Sequence, residues 1–114
     1  MKLICYPKCS TCQKAQKHLE SKKLVFEKRH IVEEKLSMEE LKEIYEKSGL
    51  DIKKMFNTSG NMYKELNLKD RLNTMTLEEK LELLSTNGML VKRPILLFRD
   101  NVIIGYDEEK YNNI

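Results

Sequence analysis

Three cysteines stand in the first twelve residues, and two of them form the C-x-x-C pair Cys9-Ser10-Thr11-Cys12. A thiolate, not a thiol, is the nucleophile, and a free cysteine titrates near ~8.5. Placing the first sulfur of such a pair at a helix start lowers that value, because unsatisfied N–H groups and the positive helix end face it. Lys8 and Lys14 act in the same sense. Cys9 is therefore the candidate nucleophile and Cys12 the candidate resolving thiol, near enough in sequence to close a disulfide. An odd number of cysteines cannot all pair within one chain, and a reducing compartment keeps them as thiols, so they read as reactive groups and not as staples. Zinc would need four ligands. Only Cys5, His18 and His30 are on hand to complete the set, with no second C-x-x-C. Cys5 reads as a small buried hydrophobe, and His18, among lysines, as a surface residue.

The elements that must hold these sulfurs follow from periodicity. Lys2 to Tyr6 reads as a short buried strand ended by Pro7. Cys12, Ala15 and Leu19 then fall at helical spacing to about Lys22, with Ser10 and Gln13 in the relation of a capping box. Leu24 to Ile31 reads as a second strand, parallel to the first because a helix joins them. The C-x-x-C thus lies at the strand-to-helix turn of a βαβ unit, the context of a thioredoxin-like redox motif. Ser37 and Glu40 form a capping box that opens a helix with Met38, Leu41, Ile44 and Tyr45 on one face and Gly49 as its stop. Thr76 and Glu79 repeat the device, with Leu77, Leu81 and Leu84 as the stripe and Gly88 as the stop. Between them, Asn57 to Asn61 reads as a loop leading to a short helix. Pro94 to Phe98 and Val102 to Ile104 flank a three-residue turn, Arg99-Asp100-Asn101, and read as a hairpin. Asp107 caps a terminal helix. With right-handed crossover this order, βαβ, helical block, ββα, packs as a small mixed sheet flanked by helices on both faces. The fold class is α/β with a thioredoxin-like outline: one domain spanning 1–114, with a helical insertion at about 37–90.

A second stretch bears on chemistry. Arg93 precedes Pro94, which cannot donate to a strand ladder and whose peptide bond takes the cis form at modest cost, placing backbone beside an incoming ligand. The guanidinium would bring a permanent charge suited to an oxyanion or a thiolate. Charge is uneven: of 21 Lys and Arg against 18 Asp and Glu, eight basic residues and two acidic ones precede Ile31. Basic residues do not cluster with aromatics, so direct nucleic-acid binding is not expected. The longest apolar run, Ile95 to Phe98, is far below the ~20 residues of a membrane span. A cytoplasmic protein without membrane association is expected.

Cys9-Ser10-Thr11-Cys12, the stretch from Phe56-Asn57-Thr58-Ser59-Gly60 to Tyr63-Lys64-Glu65-Leu66, and Leu90-Val91-Lys92-Arg93-Pro94-Ile95 occur in the order and spacing of one family. By these motifs the chain resembles the arsenate reductase (ArsC)/Spx family of bacterial thioredoxin-fold proteins across nearly all its length. The resemblance implies a thiol mechanism, with Cys9 attacking and Arg93 helping to bind an oxyanion. It also implies substrate contacts from Lys8, Ser10, Thr11, Asn57, Arg93 and Pro94. No metal or organic cofactor is implied; glutathione, glutaredoxin or thioredoxin would recycle the thiols, and the substrate would be a small thiol or an oxyanion. The regulatory branch implies another partner, the RNA polymerase α-subunit. Some positions depart from the reductase pattern. Asn57 and Tyr106 stand where two further arginines line the oxyanion site, Cys5 replaces a histidine, and Cys12 replaces a serine. One arginine in place of three weakens a dianion site, since each charge-assisted contact contributes ~1.5 to 3 kcal/mol. The expected activity is therefore thiol-disulfide oxidoreduction, with Spx-type redox regulation and genuine arsenate reduction as rivals.

Overall fold

Leu3, Ile4 and Cys5 are buried in sequence along β1 (Lys2–Cys5), the pattern of a strand covered on both faces. A computed structural model describes residues 1–114 and places β1 inside a four-stranded sheet of order β2-β1-β3-β4. β2 (Glu27–His30) runs parallel to β1, whereas β3 (Ile95–Phe98) is antiparallel to β1 and pairs with β4 (Asn101–Ile104) as a hairpin. The expected parallel pair and the hairpin both form.

Side-chain alternation divides the core. Leu3, Cys5, Leu96 and Ile103 point to one face, where they meet Cys12, Ala15 and Leu19 of α1 (Ser10–Ser21) and Tyr111 of α6 (Glu108–Asn112). Ile4 and Ile95 point to the other face, covered by the helical block. That block comprises α2 (Met38–Ser48), α3 (Asn61–Glu65), α4 (Leu68–Arg71) and α5 (Leu77–Thr86), with short 3-10 turns at Ile52–Met55, Leu72–Thr74 and Gly88–Leu90. The sheet thus carries helices on both faces, as a thioredoxin-like fold requires.

Helix ends explain where the block turns. Ser37 and Thr76 accept from the amides of Glu40 and Glu79, whose carboxylates return to the cap amides, completing both capping boxes. Gly49 ends α2 in the left-handed region at φ 67°. Arg29 of β2 forks onto Glu40, with contacts to both carboxylate oxygens, and ties the parallel edge strand to the start of α2. The Arg29 bond and, to a lesser degree, the Ser37 amide outweigh burial and hold the Glu40 carboxyl down at about 2.

Four local expectations are corrected. Ser10 and Gln13 form no capping box: Cys9 is the N-cap, and the Gln13 amide turns back to the Pro7 carbonyl at 3.0 Å. Leu77 is 40% exposed, because it occupies the first residue of α5, before the helix has turned its Leu81–Leu84 face onto α2. The hairpin turn has two residues, since Phe98 pairs with Asn101, and Arg99 takes φ 54° to close it. Gly88 does not stop α5, which ends through Asn87 in extended backbone. A Cβ at Gly88 would lie 2.1 Å from the Ile31 carbonyl oxygen, so the glycine lets the chain cross the end of β2.

Two outcomes follow from these contacts. Gly88→Ala should lose about 2 to 3 kcal/mol in denaturant melts, because the clash is with backbone that cannot rotate away, whereas Gly49→Ala should lose only about 1 kcal/mol. Glu40 contributes stability that is present above pH 4.5 and lost as pH falls toward 2, the native value. Glu40→Gln should flatten that acid limb by about 1 kcal/mol, the partly exposed pair being screened by water. Melts across that pH window check it.

Candidate active site

α1 presents both cysteines of the pair. At the N-cap, Cys9 has extended backbone (φ −84°, ψ 123°), its amide donates to Tyr6 O at 2.9 Å and its carbonyl accepts from Gln13 at 3.0 Å. Its sulfur therefore stands where a serine or aspartate cap would place an oxygen. It makes no capping bond of full geometry, yet the amides of Thr11 and Cys12 face it. Partial burial would push the Cys9 thiol up. The Cys12 amide and thiol, the Thr11 amide and the charge of Arg93 together outweigh burial and pull it below its usual value.

Cys12 is the first member of the buried Cys12-Ala15-Leu19 stripe and is closed off from solvent. The Tyr6 amide donates to its sulfur at 3.3 Å. Its thiol also interacts with those of Cys5 and Cys9, so Cys12 is the middle sulfur of three. Donating to Cys5, being buried and facing a negative Cys9 all push Cys12 far above the ordinary thiol range, and the Tyr6 amide offsets this only in part. Cys5 is drawn down to about 7 chiefly by the Cys12 thiol, against burial and with some help from Lys28. Cys12 has one S–H and serves one neighbour at a time. Cys9 also has the helix amides and Arg93, and it is the one of the three that is not buried, so the accessible thiolate is Cys9.

Arg93 arrives from the other half of the chain. The Phe56 to Val91 bridge, with Lys92 N donating to Met55 O at 2.7 Å and Asn57 N to Leu90 O at 2.8 Å, sews the segment before β3 to the helical block. The Arg93–Pro94 bond is cis. The guanidinium lies 5.3 Å from the centroid of the Tyr6 ring and its Nη1 donates to the carbonyls of Met89 and Val91, both at 3.4 Å. Its Nε is buried with no partner. Asn57 and Arg93 line one pocket with Ser59 and Asn61.

The residues singled out from the sequence thus separate. Cys9, Thr11, Cys12 and Arg93 converge; Asn57 joins Arg93; Pro94 sets the edge. Lys8 and Ser10 are exposed at the turn. Tyr106 does not face Asn57: its hydroxyl meets His18 Nδ1 at 2.6 Å, and His18 Nε2 meets Asn112 Oδ1 at 2.8 Å. His18 is thus a half-buried clasp between α1 and α6 and not a free surface residue. Three contributors carry little or no mark in the sequence. Cys5 could have been found from alternation, since Leu3 and Cys5 must share the α1 face. Tyr6 and Tyr111, the latter with a buried hydroxyl lacking a partner beside the cysteines, carried no signal. No group of three His, Cys, Asp or Glu side chains is arranged to hold a metal ion.

A thiol pair at the turn from β1 to α1, with a cis-proline just before the neighbouring antiparallel strand β3, fits the thioredoxin-like class. Comparison with known proteins narrows it. The ArsC family model matches residues 5–114, and the chain belongs to that family. It is 52% identical over 106 residues to the uncharacterized protein YusI of Bacillus subtilis, covering 93% of this chain and 90% of the relative. It is 30% identical over 104 residues to the global transcriptional regulator Spx of Listeria innocua, covering 91% and 78%. A crystal structure of an ArsC family related protein from Bacteroides fragilis superposes with TM-score 0.95 at 46% identity, covering 98% of this chain and 94% of that one.

Cys9 should alkylate fastest of the three cysteines, with a rate that rises with pH through a midpoint below the free-thiol value. Arg93→Met should move that midpoint upward without abolishing the lowering, since it removes one of several favourable contributions. Iodoacetamide labelling followed by peptide mass spectrometry reads both.

Proposed function

We propose that this protein is a thiol-disulfide oxidoreductase in which the Cys9 thiolate attacks, Cys12 resolves and Arg93 stabilises negative charge at the site. The observation that carries the reading is the contrast between the two sulfurs. One is accessible and favoured as thiolate at a helix N-cap; the other is buried, protonated and in contact with the first.

Attack of Cys9 on a substrate disulfide forms a mixed disulfide and expels one substrate thiolate, which takes up a proton. Cys9 then no longer bears charge. The repulsion that helped hold the proton on Cys12 is gone, while the Tyr6 amide still points at the Cys12 sulfur. Cys12 loses its proton to solvent or to the departing thiolate, attacks Cys9 and expels the second substrate thiolate. The substrate gains two electrons, the protein holds a Cys9–Cys12 disulfide, and a thiol reductant such as thioredoxin, glutaredoxin or glutathione restores the pair. The site thereby favours this order of steps, since reaction at Cys9 removes its share of what holds the proton on Cys12, beside the bond to Cys5 and burial. Lys8, Ser10, Thr11, Asn57 and Pro94 would border the substrate, and no metal or organic cofactor enters the cycle.

Arsenate is a poor fit to this pocket. Arg93 is its one arginine, Asn57 is uncharged and Tyr106 is engaged with His18. A regulatory reading draws on the similarity to Spx, and it predicts redox-dependent capture of the RNA polymerase α-subunit.

The deciding experiment is turnover of a small disulfide with a thioredoxin recycling system, beside arsenate and α-subunit pull-down arms. Disulfide reduction should proceed and be lost in Cys9→Ser, while Cys12→Ser should accumulate the mixed disulfide. Capture of the α-subunit by one redox form only, without turnover, would replace this reading with the regulatory one.

A further inference from the structure

Cys5 takes no part in the cycle above, yet its side chain is placed for one. Strand alternation sends Leu3 and Cys5 to the face covered by α1, and Cys12 is the helix residue that meets Cys5 there. Cys5 and Cys9 both contact Cys12, from the strand side and from the helix start, so Cys12 has a thiol on either hand. Thiol-disulfide exchange needs this order, an attacking sulfur, a central sulfur and a leaving sulfur.

We propose that Cys5 is a third redox residue: the disulfide formed between Cys9 and Cys12 passes inward to Cys5 and Cys12 by exchange, setting Cys9 free. The proposal rests on the Cys9–Cys12 disulfide of the proposed oxidoreductase cycle. Cys5 loses its proton to solvent and attacks the Cys12 sulfur; the Cys5–Cys12 bond forms, the Cys9–Cys12 bond breaks, and Cys9 leaves as thiolate. No electrons enter or leave the protein in this step.

Chemistry favours that direction of departure. A thiol of low pKa leaves faster: Cys5 is held down chiefly by the Cys12 thiol, which a disulfide removes, whereas the Cys9 thiolate keeps the helix amides and Arg93. The product disulfide is shielded, because Cys5 and Cys12 are only 6% and 2% exposed. An incoming reductant meets a free Cys9 instead of a disulfide, so the inner form stores oxidation out of reach and is reopened by Cys9 attacking Cys12. Cys5 thus sets how long the protein stays oxidised, a property the C-x-x-C alone does not provide.

The test is disulfide mapping of the full chain after diamide oxidation, with acid quenching, alkylation and peptide mass spectrometry. Oxidised wild type should contain a Cys5–Cys12 peptide pair together with alkylated Cys9. Cys5→Ser should form only Cys9–Cys12, and Cys9→Ser should form Cys5–Cys12. If Cys9→Ser keeps two free thiols under conditions that fully oxidise Cys5→Ser, and wild type yields only Cys9–Cys12, the inward transfer is refuted and the oxidoreductase reading stands. If Cys5→Ser forms no disulfide although circular dichroism shows it folded, the Cys9–Cys12 pair fails, and the transfer with it. Wild-type mapping needs no variant, so it decides the question even where Cys5→Ser misfolds.

Discussion

The site depends on one electrostatic arrangement: a sulfur held at the N-cap of α1, with the free amides of the first helical turn facing it. An oxygen cap at that position would close the helix and end its chemistry. A sulfur there shares the same field and remains a nucleophile. The rest of the fold serves this placement. β1 delivers the chain to the turn, the Tyr6 carbonyl fixes the Cys9 amide, and the Cys12-Ala15-Leu19 stripe anchors the helix against the sheet.

The buried side of the site makes the arrangement directional. Cys12 holds its proton chiefly because it donates to Cys5 and is buried, and the negative charge of Cys9 adds to both. Arg93 adds positive charge from the opposite end of the sequence, held above Tyr6 by carbonyls of the segment before β3. The bridge between Phe56 and Val91 supports that geometry. The helical block therefore acts on the chemistry from a distance, by setting where the Arg93–Pro94 edge lies.

Much of this was legible in the sequence, for identifiable reasons. Both capping boxes, the Gly49 stop, the βαβ start and the hairpin are local signals, each carried by a few neighbouring residues. The cysteine pair was legible because its spacing matches one helical turn. The failures arise where a distant partner overrides local pattern. Ser10 lost the cap to Cys9 because the turn from Tyr6 begins the helix a residue early, and Gly88 answers to the Ile31 carbonyl and not to the helix before it. Cys5 read as filler, since nothing nearby in sequence shows that Cys12 will stand against it. His18 and Tyr106 lie 88 positions apart and could not have been paired without the fold.

The central claim is that Cys9 is the accessible thiolate of the reduced protein and that charge is withheld from Cys12. Titration of the three cysteine Cβ carbons by NMR, on protein labelled at cysteine, observes each ionisation separately. The account predicts that the Cys9 resonance moves below the free-thiol range and well before that of Cys12, which stays unmoved through the same window. A Cys9 resonance that shifts only at or above the free-thiol range, or a Cys12 resonance that shifts before it, would contradict the account.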